Sequence, residues 1–232
     1  MIYSDQTVAD NYDKDRFNSP AGRLFDQIER EIVEGVAAEI PANSIALDAG
    51  TGTGRFAVML SSLGMRLLGT DISLPMLLHA REKSQRAESN RVSLVRGNVF
   101  HLPIRTGAAD LIVSLRVLSQ LGTTRAQMAA VRELCRVCAP GGRILFDVIN
   151  QTSLAILSGS GTQSLVHLQH VEQAISEIQG VRVRLVLGRL ALSQTAFGIC
   201  PLKFFPTLLR IDRLLSERLP KFCTRVYYIL AK

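Results

Sequence analysis

Short apolar runs separated by longer stretches of helical periodicity organise the first two-thirds of the chain. Ser44–Asp48, Met65–Thr70, Val92–Arg96, Asp110–Leu115 and Arg143–Val148 are compact apolar runs that predict strands. Between them, Gly54–Leu63, Ser73–Glu88 and Thr123–Val137 carry apolar residues at three- and four-residue spacing and predict helices. Ser73 stands at an N-cap position with Pro75 in the first turn behind it. Residues 20–40 form an amphipathic helix ahead of the first strand. Strands that alternate with helices in this way make right-handed βαβ units and a parallel sheet. Continuous runs such as Leu111-Ile112-Val113 suit a sheet covered on both faces.

Past Asn150 the pattern changes. Residues 151–169 are rich in Gly, Ser, Thr and Gln, and His170–Gln179 reads as a helix. Val181–Leu187 reads as a strand, and residues 190–205 are apolar without a clear period. Thr207–Leu219, bracketed by Pro206 and Pro220, predicts a helix with Leu208, Ile211, Leu215 and Leu219 on one face. Cys223–Ala231 predicts a closing strand. No second domain is expected. Residues 1–40 read as an N-terminal lid and helix, 41–150 as the core, and 151–232 as the remainder of the same domain.

Composition narrows the class. The chain has 232 residues, 47% hydrophobic and 20% charged, which excludes a disordered chain. No apolar run is long enough to span a bilayer. The first residues lack a basic start and an apolar segment, so a cytoplasmic protein is expected. The net charge of +7 is uneven, with nine acids against four bases in residues 1–40 and a basic excess thereafter. A basic surface suits nucleic acid, an anionic membrane or an acidic small molecule. There is no run of consecutive Lys/Arg, no Trp and only 6% aromatic residues, and this argues against nucleic acid. Cys135 and Cys138 form a lone CxxC without a second close pair, and read as inert thiols rather than a metal site. His167 and His170 lack a third ligand, so no metal is expected. His79, in mid-helix, reads as a surface residue.

The sharpest motif is Leu47-Asp48-Ala49-Gly50-Thr51-Gly52-Thr53-Gly54, between a strand and a helix. Glycines there let backbone approach a ligand, and the helix start supplies free N–H groups. The dinucleotide spacing GxGxxG would place its third glycine at Arg55, so the motif departs from that fingerprint. The second strand ends in Gly69-Thr70-Asp71, an acid positioned for ribose hydroxyls.

With these blocks in order, the chain resembles the class I S-adenosylmethionine-dependent methyltransferases, in particular the small-molecule branch of the ubiquinone/menaquinone methyltransferases. The resemblance is carried by residues 47–56, 69–77, 97–104, 109–121 and 133–150. Pattern and resemblance together imply a Rossmann-like, doubly wound α/β fold. Its sheet would be seven-stranded and mostly parallel with an antiparallel last strand, and helices and loops would cover the carboxyl edge. The resemblance implies S-adenosyl-L-methionine as cofactor. Gly50, Gly52 and Gly54 would line its methionine part, Asp48 would order the loop and the amine, and Asp71 would hold the ribose. Ile72 and Met76 would sandwich the adenine, Val99 would offer its N–H, and Asn98 would accept from the adenine amino group where relatives carry Asp. Ser114, at the fourth strand's tip, would face the sulfur, and Tyr12 would lie near the cofactor on the lid.

The acceptor side is less defined. Arg116, Asn150 and His101 sit at the carboxyl edge as candidate contacts. Arg116 reads equally well as one arm of a salt bridge, and His101 as an exposed loop residue. The helix after strand four lacks the family's His pair, so no general base is identified. The expected activity is methyl transfer, at oxygen with nitrogen or carbon as alternatives, to a mostly apolar small molecule by a monomer or homodimer. Two alternatives stand beside it, RNA or protein methylation and non-catalytic cofactor binding. The arginines of 207–219 are read as solvated above a helix whose apolar face packs on the sheet. Asp212 and Glu217 dilute its charge as a membrane-surface helix.

Overall fold

A computed structural model describes residues 5–153, 164–189 and 204–232. Most of the polar segment 151–169, all but the end of the apolar stretch 190–205, and Cys200 lie outside them. The described residues fall into two compact units.

The first unit comprises residues 1–115, 132–145 and Lys232. It opens with α1 (Gln6–Phe17), whose start is capped by the Asp5 carboxylate accepting from the Thr7 and Val8 N–H groups. This helix has too few apolar positions to be legible in the pattern. α2 (Pro20–Ala37) follows, with Ser19 accepting from the Gly22 N–H and proline at its first position. Then come β1 (Ile45–Ala49), α3 (Arg55–Ser62), β2 (Arg66–Asp71), α4 (Leu74–Arg86), β3 (Val92–Arg96) and β4 (Ala109–Ser114). Ser73 caps α4 through the Met76 N–H, as its position predicts. α5 (Thr124–Val137) runs into the long strand β5 (Cys138–Asn150). The strand order here is β3-β2-β1-β4-β5, and the pairs β1–β2, β2–β3 and β1–β4 are parallel. Asp48 stands opposite Gly69 on one side and Val113 on the other. The tips of β1, β2 and β4 therefore reach one edge together, where such sheets reverse their winding and bind ligands.

β5 begins five residues earlier than the pattern suggests. Pro140, Gly141 and Gly142 read as a turn, yet the Gly141 N–H donates to the Lys232 carbonyl and the Lys232 N–H to that of Gly142. Cys135 therefore ends in helix and Cys138 in strand, both free and buried. Burial pushes the Cys135 thiol to about 12 and the Cys138 thiol to about 11, so neither is a ready nucleophile.

The second unit holds residues 116–131 and 146–231. Its strands are the end of β5, the short β6 (Leu165–Val166) parallel to it, β7 (Arg182–Arg189) and β8 (Arg225–Ala231), in the order β5-β8-β7. β7 and β8 pair antiparallel with an irregularity between Val183 and Leu185. With β6 the sheet has eight strands rather than the seven expected. α6 (Leu168–Ser176) and α7 (Phe205–Arg218) complete the unit. Phe146 stacks on Tyr228 with ring centroids 5.4 Å apart. Beside this stack the Asp147 carboxylate is fully buried and accepts from the Arg225 guanidinium and, at 2.6 Å, from the Arg116 backbone N–H.

α7 departs from expectation in a specific way. Its inward positions are Asp212 and Ser216; of the four residues expected to pack on the sheet, Leu208 is half-buried while Ile211, Leu215 and Leu219 are exposed.

Candidate cofactor cradle

The glycine loop at the tip of β1 is held from below by backbone and from the side by carboxylates. The Gly50 and Thr51 N–H groups both donate to the Thr70 carbonyl, at 2.7 and 2.8 Å. Asp48, buried at the end of β1, accepts from the Thr51 hydroxyl at 2.7 Å. Asp71, at the tip of β2, takes the Gly52 N–H on one oxygen and the Ser73 N–H on the other, each at 2.9 Å. One carboxylate thus fixes both the loop and the start of α4. Gly52 and Gly54 are required here for different reasons. Both have positive φ, at 53° and 80°. A Cβ on Gly52 would face open space, the approach a ligand needs, whereas one on Gly54 would lie 2.9 Å from the Cα of Ala80 in α4.

Electrostatics separate the two acids. Burial pushes the Asp48 carboxyl up to about 6, opposed by its hydrogen bond from Thr51 and by the charge of Arg55. Burial also raises Asp71, opposed by the N–H groups of Ser73 and Gly52. An ionised carboxylate accepts more hydrogen bonds than these, so both acids retain acceptor capacity at the loop. These acceptors and the open space beside Gly52 fit a ligand with hydroxyl and ammonium donors.

Two residues given no site role in the sequence, Arg55 and Asp13, support the cradle. Arg55, at the start of α3, is enclosed by Asp26 and Glu29 of α2 at 2.5 Å each, with its guanidinium over the Phe56 ring. Asp13 of α1 accepts from the Thr53 hydroxyl at 2.7 Å and from the Lys83 ammonium at 2.6 Å. A second link joins His79 on α4 to Asp10 on α1 at 2.8 Å. α1 is therefore fastened over the glycine loop by its acids. Asp13 is one of a dense acidic run, so no signal in the sequence separates it from its neighbours.

The remaining expected site residues are placed as follows. Tyr12 packs edge-on against Phe17 within the first unit. Ile72 is half-buried and its carbonyl accepts from Arg96. Met76 is buried in the core and leaves little surface to a ligand. Asn98 is exposed, its side-chain oxygen accepting from the Phe100 N–H, and Val99 is half-buried beside it. Ser114 is fully buried and donates to the Ala49 carbonyl at 2.9 Å, tying β4 to β1 rather than presenting its hydroxyl outward. His101 is exposed in the loop after β3. Arg116 holds a left-handed backbone, φ 62°, fixed by its N–H to Asp147. Asn150 requires correction. Its amide donates to the Lys221 and Cys223 carbonyls and accepts from the Thr152 N–H and hydroxyl, so it clamps the C-terminal segment and has no group left for an acceptor. Among the described residues no cluster of His, Cys, Asp and Glu has the geometry of a metal site, and no helix is long and apolar enough to cross a membrane.

A strand order of 3-2-1-4-5, a GxGxG loop after β1 and an acid ending β2 define the Rossmann-like fold of the class I methyltransferases. A magnesium protoporphyrin IX methyltransferase from Synechocystis, solved with bound S-adenosylhomocysteine, superposes with a TM-score of 0.62 at 15% identity, over 88% of this chain and 83% of that one. Residues 47–146 match the methyltransferase domain family. The malonyl-[acyl-carrier protein] O-methyltransferase of Yersinia pestis is 32% identical over 141 residues, 56% of this chain and 49% of the relative. The demethylmenaquinone methyltransferase of Shouchella clausii is 31% identical over 121 residues, 51% and 50%. The chain thus carries a region that matches the methyltransferase domain, and over about half of its length it is similar to S-adenosylmethionine-dependent methyltransferases. It spans about half the length of the curated relatives it matches.

Proposed function

We propose that the chain transfers a methyl group from S-adenosyl-L-methionine to an oxygen of a small, mostly apolar acceptor. The observation that carries this reading is Asp71, which accepts from the Gly52 and Ser73 N–H groups at the tip of β2; a carboxylate has further acceptor capacity with which it would take the ribose hydroxyls. Asp48 in its ionised form would balance the ammonium of the methionine part, with Gly52 giving that part room. Ile72 would wall the adenine, and Asn98 and Val99 would meet its edge. Bound S-adenosyl-L-methionine supplies a methyl on a sulfonium that departs without being protonated.

The protein's own work is then positional. Holding acceptor and methyl in line supplies much of the rate, and excluding water strengthens every charge interaction in the cradle. α1, fastened by Asp13, is suited to that exclusion. Arg116 and His101 remain the candidates for contact with the acceptor. Supporting oxygen as the target, the Yersinia relative is named an O-methyltransferase; supporting an apolar acceptor, the Shouchella relative is named for demethylmenaquinone.

The test is methyl transfer from isotope-labelled cofactor to a panel of carboxylic acids, phenols and quinols, with bulk tRNA as a further arm. The expected result is a labelled ester or ether identified by mass spectrometry, lost in Asp71→Ala. Transfer to tRNA alone, or tight cofactor binding with no transfer to any acceptor, would overturn it.

A further inference from the structure

α7 is turned against its own pattern. Asp212 and Ser216 face inward at 4% and 1% exposure, whereas Ile211, Leu214, Leu215 and Leu219 stand at 45%, 55%, 36% and 46%. Ile211, Leu214, Leu215 and Arg218 fall three and four residues apart and make one outward row. Phe204 before the helix and Phe222 after it are also about half exposed. Large apolar side chains grouped in this way on the solvent-facing row of a helix whose other side is packed mark an interaction surface.

The charges beside that row decide its partner. Arg210, Arg213 and Glu217 form the neighbouring row, and Arg213 pairs with Glu217 at 3.1 Å. Asp212, which in the sequence dilutes the positive charge, is buried. The exposed charge beside the apolar row therefore rests with Arg210, Arg218 and Lys221, all exposed. A folded acidic partner would need a groove matched to this row. A bilayer interface needs only apolar depth and a negative surface, and long arginine side chains reach from the one to the other.

We infer that α7 is an interfacial helix that docks the protein on an anionic membrane surface, its apolar row entering the headgroup boundary and its bases meeting lipid phosphates. This places no segment across the bilayer and is independent of the acceptor.

Cosedimentation of the full chain with vesicles of equal parts phosphatidylcholine and phosphatidylglycerol tests it. The chain should partition at least about tenfold more strongly into these than into phosphatidylcholine alone, and less strongly as salt rises. Ile211→Gln/Leu214→Gln/Leu215→Gln should lower that partitioning by about tenfold or more. Arg210→Gln/Arg218→Gln/Lys221→Gln should remove the preference for phosphatidylglycerol. Both variants should bind S-adenosylhomocysteine as the parent does, because they alter only exposed side chains outside the cradle. The inference is overturned if the parent stays in the supernatant with both vesicle types, or if the glutamine variant of the apolar row sediments like the parent. It is equally overturned if soluble polyglutamate binds α7 in place of lipid, which would assign the row to an acidic protein.

Discussion

Asp48 carries a carboxyl that burial holds near pH 6, well above its value in an unfolded chain. The sign of the consequence follows. Below about pH 4 the group is protonated in both states and costs nothing; as pH rises to about 6 the folded state alone retains the proton, so stability falls, and the penalty is complete above that. Its size is about 3 kcal/mol. Urea unfolding from pH 4 to 7 should show a steeper decline in the parent than in Asp48→Asn, in which only Asp71 keeps a raised carboxyl. The same titration bears on cofactor affinity, which should rise with pH through about 6 in the parent and stay flat in the variant. Asp71→Ala should weaken S-adenosylhomocysteine binding by roughly 10–100-fold, as expected for one charge-assisted hydrogen bond, in calorimetric titration. Both acids were legible in the sequence because each ends a strand beside a glycine. Arg55 was legible only as a glycine missing from its place, since its partners Asp26 and Glu29 come from a helix some 26 to 29 residues earlier. Asn150 misled for the opposite reason. An amide at a strand end can serve a ligand or the backbone, and only the chain returning through Lys221 and Cys223 decides which.

Among the elements, α1 depends on tertiary contacts for its place. It has little apolar surface, and its contacts with α4 and the glycine loop run through Asp10 and Asp13. Asp13→Ala should therefore loosen the helix without unfolding the unit. Hydrogen exchange should speed up across residues 6–17, and turnover should fall more than cofactor affinity, since a lid acts on water exclusion and on the acceptor. Equal losses in both would remove α1 from that role. The strands were legible because continuous apolar runs have few other uses, and β3 has the bounds its pattern predicts. α1 was not legible, because a polar helix has no period to read. In α7 the period was visible but its facing was not. Periodicity shows that one side of a helix differs from the other, and contact alone shows which side lies inward.

At the scale of the whole molecule, the strand order among the described residues puts β3 and β7 at the two ends of the sheet's main path, each with a neighbour on one side only. Each carries exposed apolar side chains, Val95 on the one and Val183 and Leu185 on the other. An unpaired strand of this kind is a template on which a second copy can add its own strand. On both strands arginine interrupts the invitation. Arg96 stands beside Val95, while Arg182 and Arg184 alternate with Val183 and Leu185, all exposed. Two copies meeting strand to strand would bring these like charges together without water to separate them. Arginine at these positions would oppose such pairing, a role unrelated to the cradle. Replacing Arg182 and Arg184 with threonine, a good strand former without charge, should leave cofactor binding unchanged. Light scattering should then show self-association that grows with concentration and is absent from the parent.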